Sequence, residues 1–440
     1  MDKRIFRLAL PNIITNVTVP LLGIIDIAIA GRLGSPVYIG AIALGSSIFN
    51  VIYWNFGFLR MSSSGFASQA YGARDLQEVM NVFARSLAIG SGSGIAIVLL
   101  QYPIGALAFK LVQSGPESIQ HVRTYFRFVV WGAPAVLGMY AFKGWFIGMQ
   151  NARTPMVIAI LNNLLNIVLS LLFVYGFGMK IDGIALGTML SQWVSFLVAA
   201  AFWWRYYRRL MKYFRKESIW DKQAMRNYFR VNSDIFVRTL LLSLVTTFFT
   251  FASSAMGETI LAVNALLMQF FMLFSYFMDG FAYAGEALTG KYVGAKNGEY
   301  LRWMIRRIFF WGVLVSVASV LIYALFPDLI LRIMTNDLSI INHAKGYMFW
   351  TLLIPITGFA AFLWDGIFIG ATASKEMRNA MLLSSLLFFA AYFALTPVWG
   401  NNGLWFSFIL YLLMRGVVQT FWAKKALTRT VQDVSPQLLR

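Results

Sequence analysis

The sequence predicts an all-α polytopic membrane protein, with twelve transmembrane helices in two pseudo-symmetric six-helix bundles around a central cleft. Three observations predict it. Hydrophobic residues make up 59% of the 440-residue chain and charged residues only 12%, with a mean hydropathy of +0.67, a balance that soluble domains do not show. Apolar runs of the length needed to cross a hydrocarbon core, about 20 residues, recur along the whole chain. The two halves also repeat one another at a fixed offset.

Taken in order, the spans are expected at 8–31, 38–60, 83–105, 124–147, 155–177, 182–204, 232–255, 260–284, 305–327, 346–370, 379–398 and 402–423. The opening MDKRIFRLAL is basic like a signal peptide, but the apolar run behind it is long and shows no small-residue cleavage site, so it reads as a retained first span. Most connections are short. The exception, RYYRRLMKYFRKESIWDKQAMRNYFRV (205–231), carries nine basic residues among aromatics. Beside two spans it is expected to lie along the inner membrane face rather than to bind RNA. It divides the chain into an N-terminal bundle (1–204), a basic cytoplasmic linker (205–231) and a C-terminal bundle (232–440).

The repeat rests on four matches, each 222 residues apart: YGARD (71–75) with VGAKN (293–297), KGWFIG (143–148) with DGIFIG (365–370), His121 with His343, and Tyr125 with Tyr347. An even number of spans per half gives both halves the same orientation in the bilayer. Parallel repeats of this kind are a transporter architecture, with the substrate in the cleft.

A net charge of +19 in a soluble domain would point to nucleic acid. With the N-terminus in the cytoplasm, most of the 37 Lys and Arg fall on the cytoplasmic side, which is the positive-inside pattern. The partners expected are therefore a lipid bilayer and a small-molecule substrate, with no nucleic acid. The location expected is the cell inner (cytoplasmic) membrane, with both termini cytoplasmic. The absence of cysteine excludes disulfides, iron–sulfur clusters and Cys-ligated zinc.

Charges inside the hydrocarbon layer are costly, so they face the bundle interior and mark function. The candidates are Asp26, Arg60, Lys143, Arg238, Asp279, Asp365 and Arg415. In span 1 the residues Asn12, Asn16, Gly23, Asp26 and Ala30 keep one helix face, with a kink expected at Pro20. Span 10 repeats the pattern with Gly358, Ala361, Asp365 and Thr372, after Pro355. Span 8 sets Ser275, Asp279, Tyr283 and Glu286 on one face. Desolvation disfavours the charged form of a buried carboxylate and an approaching cation restores it, which is the behaviour needed to exchange a proton or sodium ion for a cationic substrate. The competing reading is that each Asp pairs with a buried base. Asp26 has no obvious basic partner, whereas Arg60, Lys143 and Arg238 are available to Asp279 and Asp365.

Other signals are weaker. GEALTGKY (285–292) departs from the phosphate-binding loop at Tyr292 and sits at a helix end. GSGSG (90–94) lies within span 3, where small residues favour close packing, and the sequon NVT (16–18) lies within span 1. The two histidines lack catalytic-zinc spacing, and no nucleophile–base constellation supports an intramembrane transferase. No catalytic residue, cofactor or resident metal is expected.

The chain resembles the multidrug and toxic compound extrusion family, and within it the DNA-damage-inducible F branch. The resemblance is carried by NVTVPLLGIIDIAIAGRLGSPVYIGAIALG (16–45), FLRMSSSGFASQAYGARD (58–75), LNIVLS (165–170), AVNALLM (262–268), MDGFAYAGEA (278–287) and WDGIFIGATASKEMRNAM (364–381). It implies a monomeric exporter of amphipathic, often cationic compounds, coupled to inward proton or sodium flow. Asp26 would take the family's span-1 aspartate position, the proposed ion-coupling residue, with Asn166 and Thr188 as further polar members of the cluster. Ser170 stands where close relatives carry a second aspartate. One carboxylate fewer weakens the case for sodium at Asp26, since sodium favours several charged hard oxygens, and tilts the reading towards protons. Asn16, Arg60, Lys143, Asp279, Tyr283 and Asp365 are expected to line the substrate cavity. Asp365 matches an acidic position used by other branches, while Lys143, its repeat equivalent, is unexpected there. The alternative transport reading is a flippase of a lipid or lipid-linked precursor, a class that has more spans and a basic cavity.

Overall fold

The computed structural model describes residues 1–31, 35–111 and 115–432. Its α-helices are α1 (Asp2–Gly31), α2 (Pro36–Asn55), α3 (Phe58–Ala73), α4 (Leu76–Leu99), α5 (Gln101–Leu111), α6 (Pro116–Val129), α7 (Ala133–Gly148), α8 (Arg153–Leu171), α9 (Ile181–Tyr207) and α10 (Lys216–Ile219). The second half holds α11 (Lys222–Ala255), α12 (Glu258–Gly294), α13 (Gly298–Leu325), α14 (Pro327–Met334), α15 (Leu338–Lys345), α16 (Met348–Gly370), α17 (Ser374–Trp399) and α18 (Asn401–Gln432). No strand occurs among the described residues. A lipid-facing backbone has no water to bond, so its amides must be satisfied within each helix.

Eleven crossings among the described residues are long and apolar enough to span a bilayer, α2 with α3 counting as one (Val37–Ala73) and α6 with α7 as another (Pro116–Gly148). The twelfth is α1, whose thirty residues reach about 45 Å at 1.5 Å per residue. Its helix runs without a break past position 20. The side chain of Pro20, and the kink expected at it, lie outside the described residues. Thr372 follows the end of α16 in a turn, so it does not extend the face of Asp365.

By contacts the chain forms two units, Ile14–Tyr228 and Met1–Ile13 with Phe229–Arg440. The division read from the sequence placed residues 1–13 with the other six spans. Local chemistry explains where they lie. The Phe6 ring meets Phe281 and Trp311 edge-on, at 5.8 and 4.6 Å between centroids. Gly280 leaves room for the α1 backbone at Ala9. Arg4 donates to the Tyr292 hydroxyl at 3.0 Å, and Asp2 accepts from Arg307 Nε at 2.9 Å and from Trp311 Nε1 at 3.1 Å. Asn12, buried and donating to the Leu8 carbonyl at 2.8 Å, therefore belongs to a different unit from Asp26.

The basic segment is more ordered than a peripheral strap. Arg85 of α4 is buried and needs acceptors for its fork of donors; it takes the carbonyls of Ile219 at 3.0 Å and Ser218 at 3.4 Å, and Glu78 at 3.3 Å. Tyr228 is buried, bonded to Ser86 at 3.1 Å and stacked on Phe66. Part of the segment thus docks on α4, while Tyr206, Phe214 and Trp220 remain exposed.

The internal repeat is visible in backbone geometry. Non-glycine residues with left-handed φ are Arg74 (59°), Gln150 (63°), Lys296 (56°) and Thr372 (53°), two pairs at the offset of 222. After Arg74 and Lys296 the chain closes with matching bonds, Asp75 N–H to the Ala70 carbonyl at 3.0 Å and Asn297 N–H to the Tyr292 carbonyl at 2.9 Å. The same two residues then cap the next helices, accepting from Glu78 N–H at 2.9 Å and Tyr300 N–H at 3.0 Å. Gly144 and Gly366, again a pair, let α7 and α16 ride directly on the backbones of α3 and α12. A Cβ at either would overlap a main-chain carbonyl, that of Arg60 or of Ala282.

Gly144→Ala and Gly366→Ala are each expected to cost about 1–3 kcal/mol through overpacking, read as a lower thermal midpoint in detergent. Gly92→Ala, where nothing lies within 4 Å, should leave the midpoint unchanged or raise it slightly. A second prediction concerns pH. Arg307, aided by the Trp311 N–H, holds the Asp2 carboxyl down at about 2. A depressed carboxyl contributes stability that is complete above its unfolded value of about 3.9 and is lost as pH falls through the folded value. The gap in midpoint between wild type and Asp2→Asn should be full at about pH 5 and close between about pH 4 and 2; a constant gap would sink this account.

Candidate functional site

In the unit Ile14–Tyr228, Asp26 is 6% exposed, and its Oδ1 has no hydrogen-bond partner among the described residues. It stands on α1 next to a core of Ile29, Ala30, Phe49, Tyr53, Tyr125 and Ile184. On α8 and α9, Asn166 donates to Thr188 Oγ1 at 3.0 Å, and that hydroxyl donates to the Ile184 carbonyl at 3.0 Å. One turn along α8 from Asn166 is Ser170, also fully buried, and the Asn166 Oδ1 and Ser170 Oγ atoms have no partner among the described residues. Gly187 lets α9 come close here, since a Cβ would sit 2.9 Å from Ser170 Oγ.

Tyr125 of α6 ties these groups together. Its hydroxyl lies 3.2 Å from Ser46 Oγ, engages Thr188, and is within electrostatic reach of Asp26. Tyr53 is buried beside it, its hydroxyl unmatched among the described residues. The sequence names Asp26, and the family resemblance adds Asn166, Thr188 and Ser170; neither names this tyrosine and serine link. In the sequence Tyr125 stands out only as the repeat partner of Tyr347; a tyrosine within an apolar span, needing a partner for its hydroxyl, is the available signal. Asn16 is half-buried ten residues before Asp26, about 15 Å along the helix, so it is not brought together with the carboxylate.

The other unit presents the opposite case. Asp365 of α16 is 5% exposed and fully engaged: it pairs with Arg238 of α11, accepts from Arg415 Nη2 at 2.8 Å, and accepts from Gln419 Nε2 at 2.6 Å. The Arg415 guanidinium also lies 5.4 Å from the Tyr411 ring centroid and 5.9 Å from that of Phe362. Asp279 of α12, half-buried, is within electrostatic reach of Arg415 as well, and Tyr283 is half-buried one turn further on. Ion pairing, the competing reading for Asp365, therefore describes it, and the partners are Arg238 and Arg415. Arg60 and Lys143 belong to the first unit, where they act on one another. Gln419, missed in the sequence, lies four residues after Arg415 and so on the same helix face.

Chemically, the first unit offers a buried carboxylate oxygen with no hydrogen-bond partner among the described residues, within electrostatic reach of the Tyr125 hydroxyl that also engages Ser46 and Thr188. The described residues hold no cluster of three or more His, Cys, Asp or Glu able to bind a metal. Twelve crossings, a parallel repeat and ionisable groups inside the bundles define a multi-pass membrane transporter.

The chain belongs to the MatE family, whose model matches it twice, over residues 11–172 and 235–394, once in each repeat. The family is one of multidrug efflux transporters, not of enzymes. Among its relatives is DNA damage-inducible protein F of Escherichia coli K12, 36% identical over 424 residues that cover 94% of this chain and 90% of that protein. The protein named probable multidrug resistance protein NorM from Thermotoga maritima is 25% identical over 457 residues, 97% of this chain and 94% of its own length. The fold matches a MATE crystal structure in a bent conformation at a TM-score of 0.86 and 21% identity, covering 98% of this chain and 96% of that one. It also matches an outward-facing multidrug resistance MATE transporter at 0.83 and 22%, covering 98% and 96%.

The two aspartates should separate by stability. Asp365→Asn strips two buried arginines of their counter-charge and is expected to cost about 3–5 kcal/mol, with a clear drop in thermal midpoint. Asp26→Asn removes a charge that no base holds among the described residues and should leave the midpoint unchanged or higher. A drop of equal size for Asp26→Asn would contradict the contrast drawn from the geometry.

Proposed function

We propose that the protein is a secondary active efflux transporter that exchanges protons for amphipathic, often cationic, solutes by alternating access. It sits in the cytoplasmic membrane with both termini inside, the orientation that the distribution of Lys and Arg favours. The single observation that carries the reading is Asp26: a carboxylate kept from water on a membrane helix, with an oxygen left unmatched among the described residues, while Asp365 is committed to two arginines. Holding an unpaired ionisable group inside a bundle is expensive, and a coupling group is what repays that cost.

In this reading Asp26 takes a proton from outside, carries it as the neutral acid and releases it inside. Tyr125, Thr188, Asn166 and Ser170 supply the hydrogen-bonding oxygens around it. Proton coupling is favoured over sodium because the cluster offers one carboxylate, and Ser170 adds only a neutral oxygen; a sodium ion would prefer more charge among its ligands. Asp279, Tyr283 and Asp365 bind solute within their own unit, with Asp365 held in place by Arg238, Arg415 and Gln419.

The test is transport in proteoliposomes with a fluorescent organic cation, driven first by an imposed pH gradient and then by a sodium gradient. The proton gradient is expected to drive wild type, the sodium gradient to have no effect, and Asp26→Asn to fall to the level of empty vesicles while Asp26→Glu keeps part of the rate. Transport by Asp26→Asn at the wild-type rate would remove Asp26 from the coupling step.

A further inference from the structure

Between Asp182 and Glu217 the chain carries no acid, and Arg205, Arg208, Arg209, Lys212 and Arg215 follow one another within eleven residues. All five are exposed. Among the described residues no ion pair reaches any of them. A run of like charges repels itself and extends when nothing holds it. Here the backbone is held: α9 runs on to Tyr207 and passes into a short 3-10 helix, Arg208–Tyr213.

The side chains that turn inwards do the holding. Trp203 is buried and stacks on Phe83 at 4.6 Å between centroids. Tyr207 meets Trp145 edge-on at 4.9 Å, and its hydroxyl accepts from Asn151 Nδ2 at 3.3 Å. Leu210 packs against the same core. These three are spaced by four and three, which keeps them on one face of a helix. Trp204, Tyr206, Met211 and Phe214, which stand among the cations, are exposed. Beyond the run, Arg85 takes the carbonyls of Ser218 and Ile219, so both of its ends are fastened to the unit Ile14–Tyr228.

The depth of the run follows from helix length. The 27 residues of α9 reach about 40 Å at 1.5 Å per residue, more than the hydrocarbon core of about 30 Å, and α11 enters the bilayer soon after. The cations therefore fall at the level of the lipid headgroups, where Trp and Tyr also partition. A row of positive charge already ordered by its own fold meets anions there without the entropy cost of arranging a loose strap.

We propose that residues 205–215 form a binding surface for anionic phospholipids of the adjoining leaflet, with Arg208, Arg209 and Lys212 on the headgroups and Tyr206, Met211 and Phe214 seated among the chains' upper carbons. The contact is that of guanidinium and ammonium groups with a lipid of net negative charge. It goes beyond the exporter reading and does not depend on it.

The experiment is native mass spectrometry of the full chain, released from detergent after incubation with equal amounts of phosphatidylglycerol and phosphatidylcholine of matched acyl chains. Wild type is expected to hold phosphatidylglycerol in clear excess. Each basic residue beside an anionic surface corresponds to about fivefold in affinity, so the combined change Arg208→Gln, Arg209→Gln and Lys212→Gln should lower that excess by at least about tenfold. Arg208→Lys with Arg209→Lys keeps the charge and should keep the excess. Removing three exposed cations elsewhere, by Arg302→Gln, Lys424→Gln and Lys425→Gln, should also keep it, which separates this surface from the overall charge of +19. Unchanged binding of phosphatidylcholine shows that each variant is folded. Equal binding of the two lipids by wild type, an excess that survives the loss of Arg208, Arg209 and Lys212, or an equal fall in the control variant overturns the proposal.

Discussion

Everything in this protein answers to the cost of keeping a polar group away from water. The backbone meets it by forming helices throughout, and the side chains meet it in one of three ways. Asn264 shows the first, full mutual satisfaction: it bonds Ser253 and Asn401 at 2.7 Å and accepts from Trp405 Nε1 at 2.9 Å. Asp365 shows the second, a buried acid clamped by bases. Such an arrangement adds little net stability over apolar packing but makes each member dependent on the others. Asp26 shows the third, a buried acid with one oxygen unmatched among the described residues.

The repeat sharpens these differences, because the same framework has been filled twice with opposite charge. Equivalent turns, caps and backbone contacts fix the positions 143 and 365, and the side chains there are a lysine and an aspartate. A shared scaffold with divergent charges lets one unit hold a buried acid with an unmatched oxygen among the described residues while the other carries a self-contained ionic cluster. Neither outcome follows from the fold; each follows from which residues stand at the sites.

Much of this was legible in the sequence where the information is local. Twelve spans and their repeat follow from apolar length and from motifs such as YGARD and VGAKN, and Asp26 declares itself as the one charge between Arg7 and Arg32. The partners of Asp365 were only partly legible. Arg238 lies 127 residues away and Gln419 lies 54 away, and no periodicity encodes which of several available bases a folded chain will choose. Tyr125 was hidden for the same reason, since its link to Ser46 spans 79 residues. The membership of Met1–Ile13 was hidden differently: α1 is apolar along most of its length, and the bonds that decide where its start packs come from Arg307, Trp311 and Tyr292, far along the chain.

The turns at Arg74 and Lys296 show how backbone strain and electrostatics can pull on one residue in different directions. Both hold left-handed φ angles, a conformation that glycine adopts at no steric penalty and that Arg and Lys adopt reluctantly. Both also stand just past helix C-termini, where a cation favours the helix dipole. Glycine would relax the turn while removing that favourable charge. Each half of the chain keeps the strained cation at the same point, so backbone comfort has been given up twice for the same electrostatic gain.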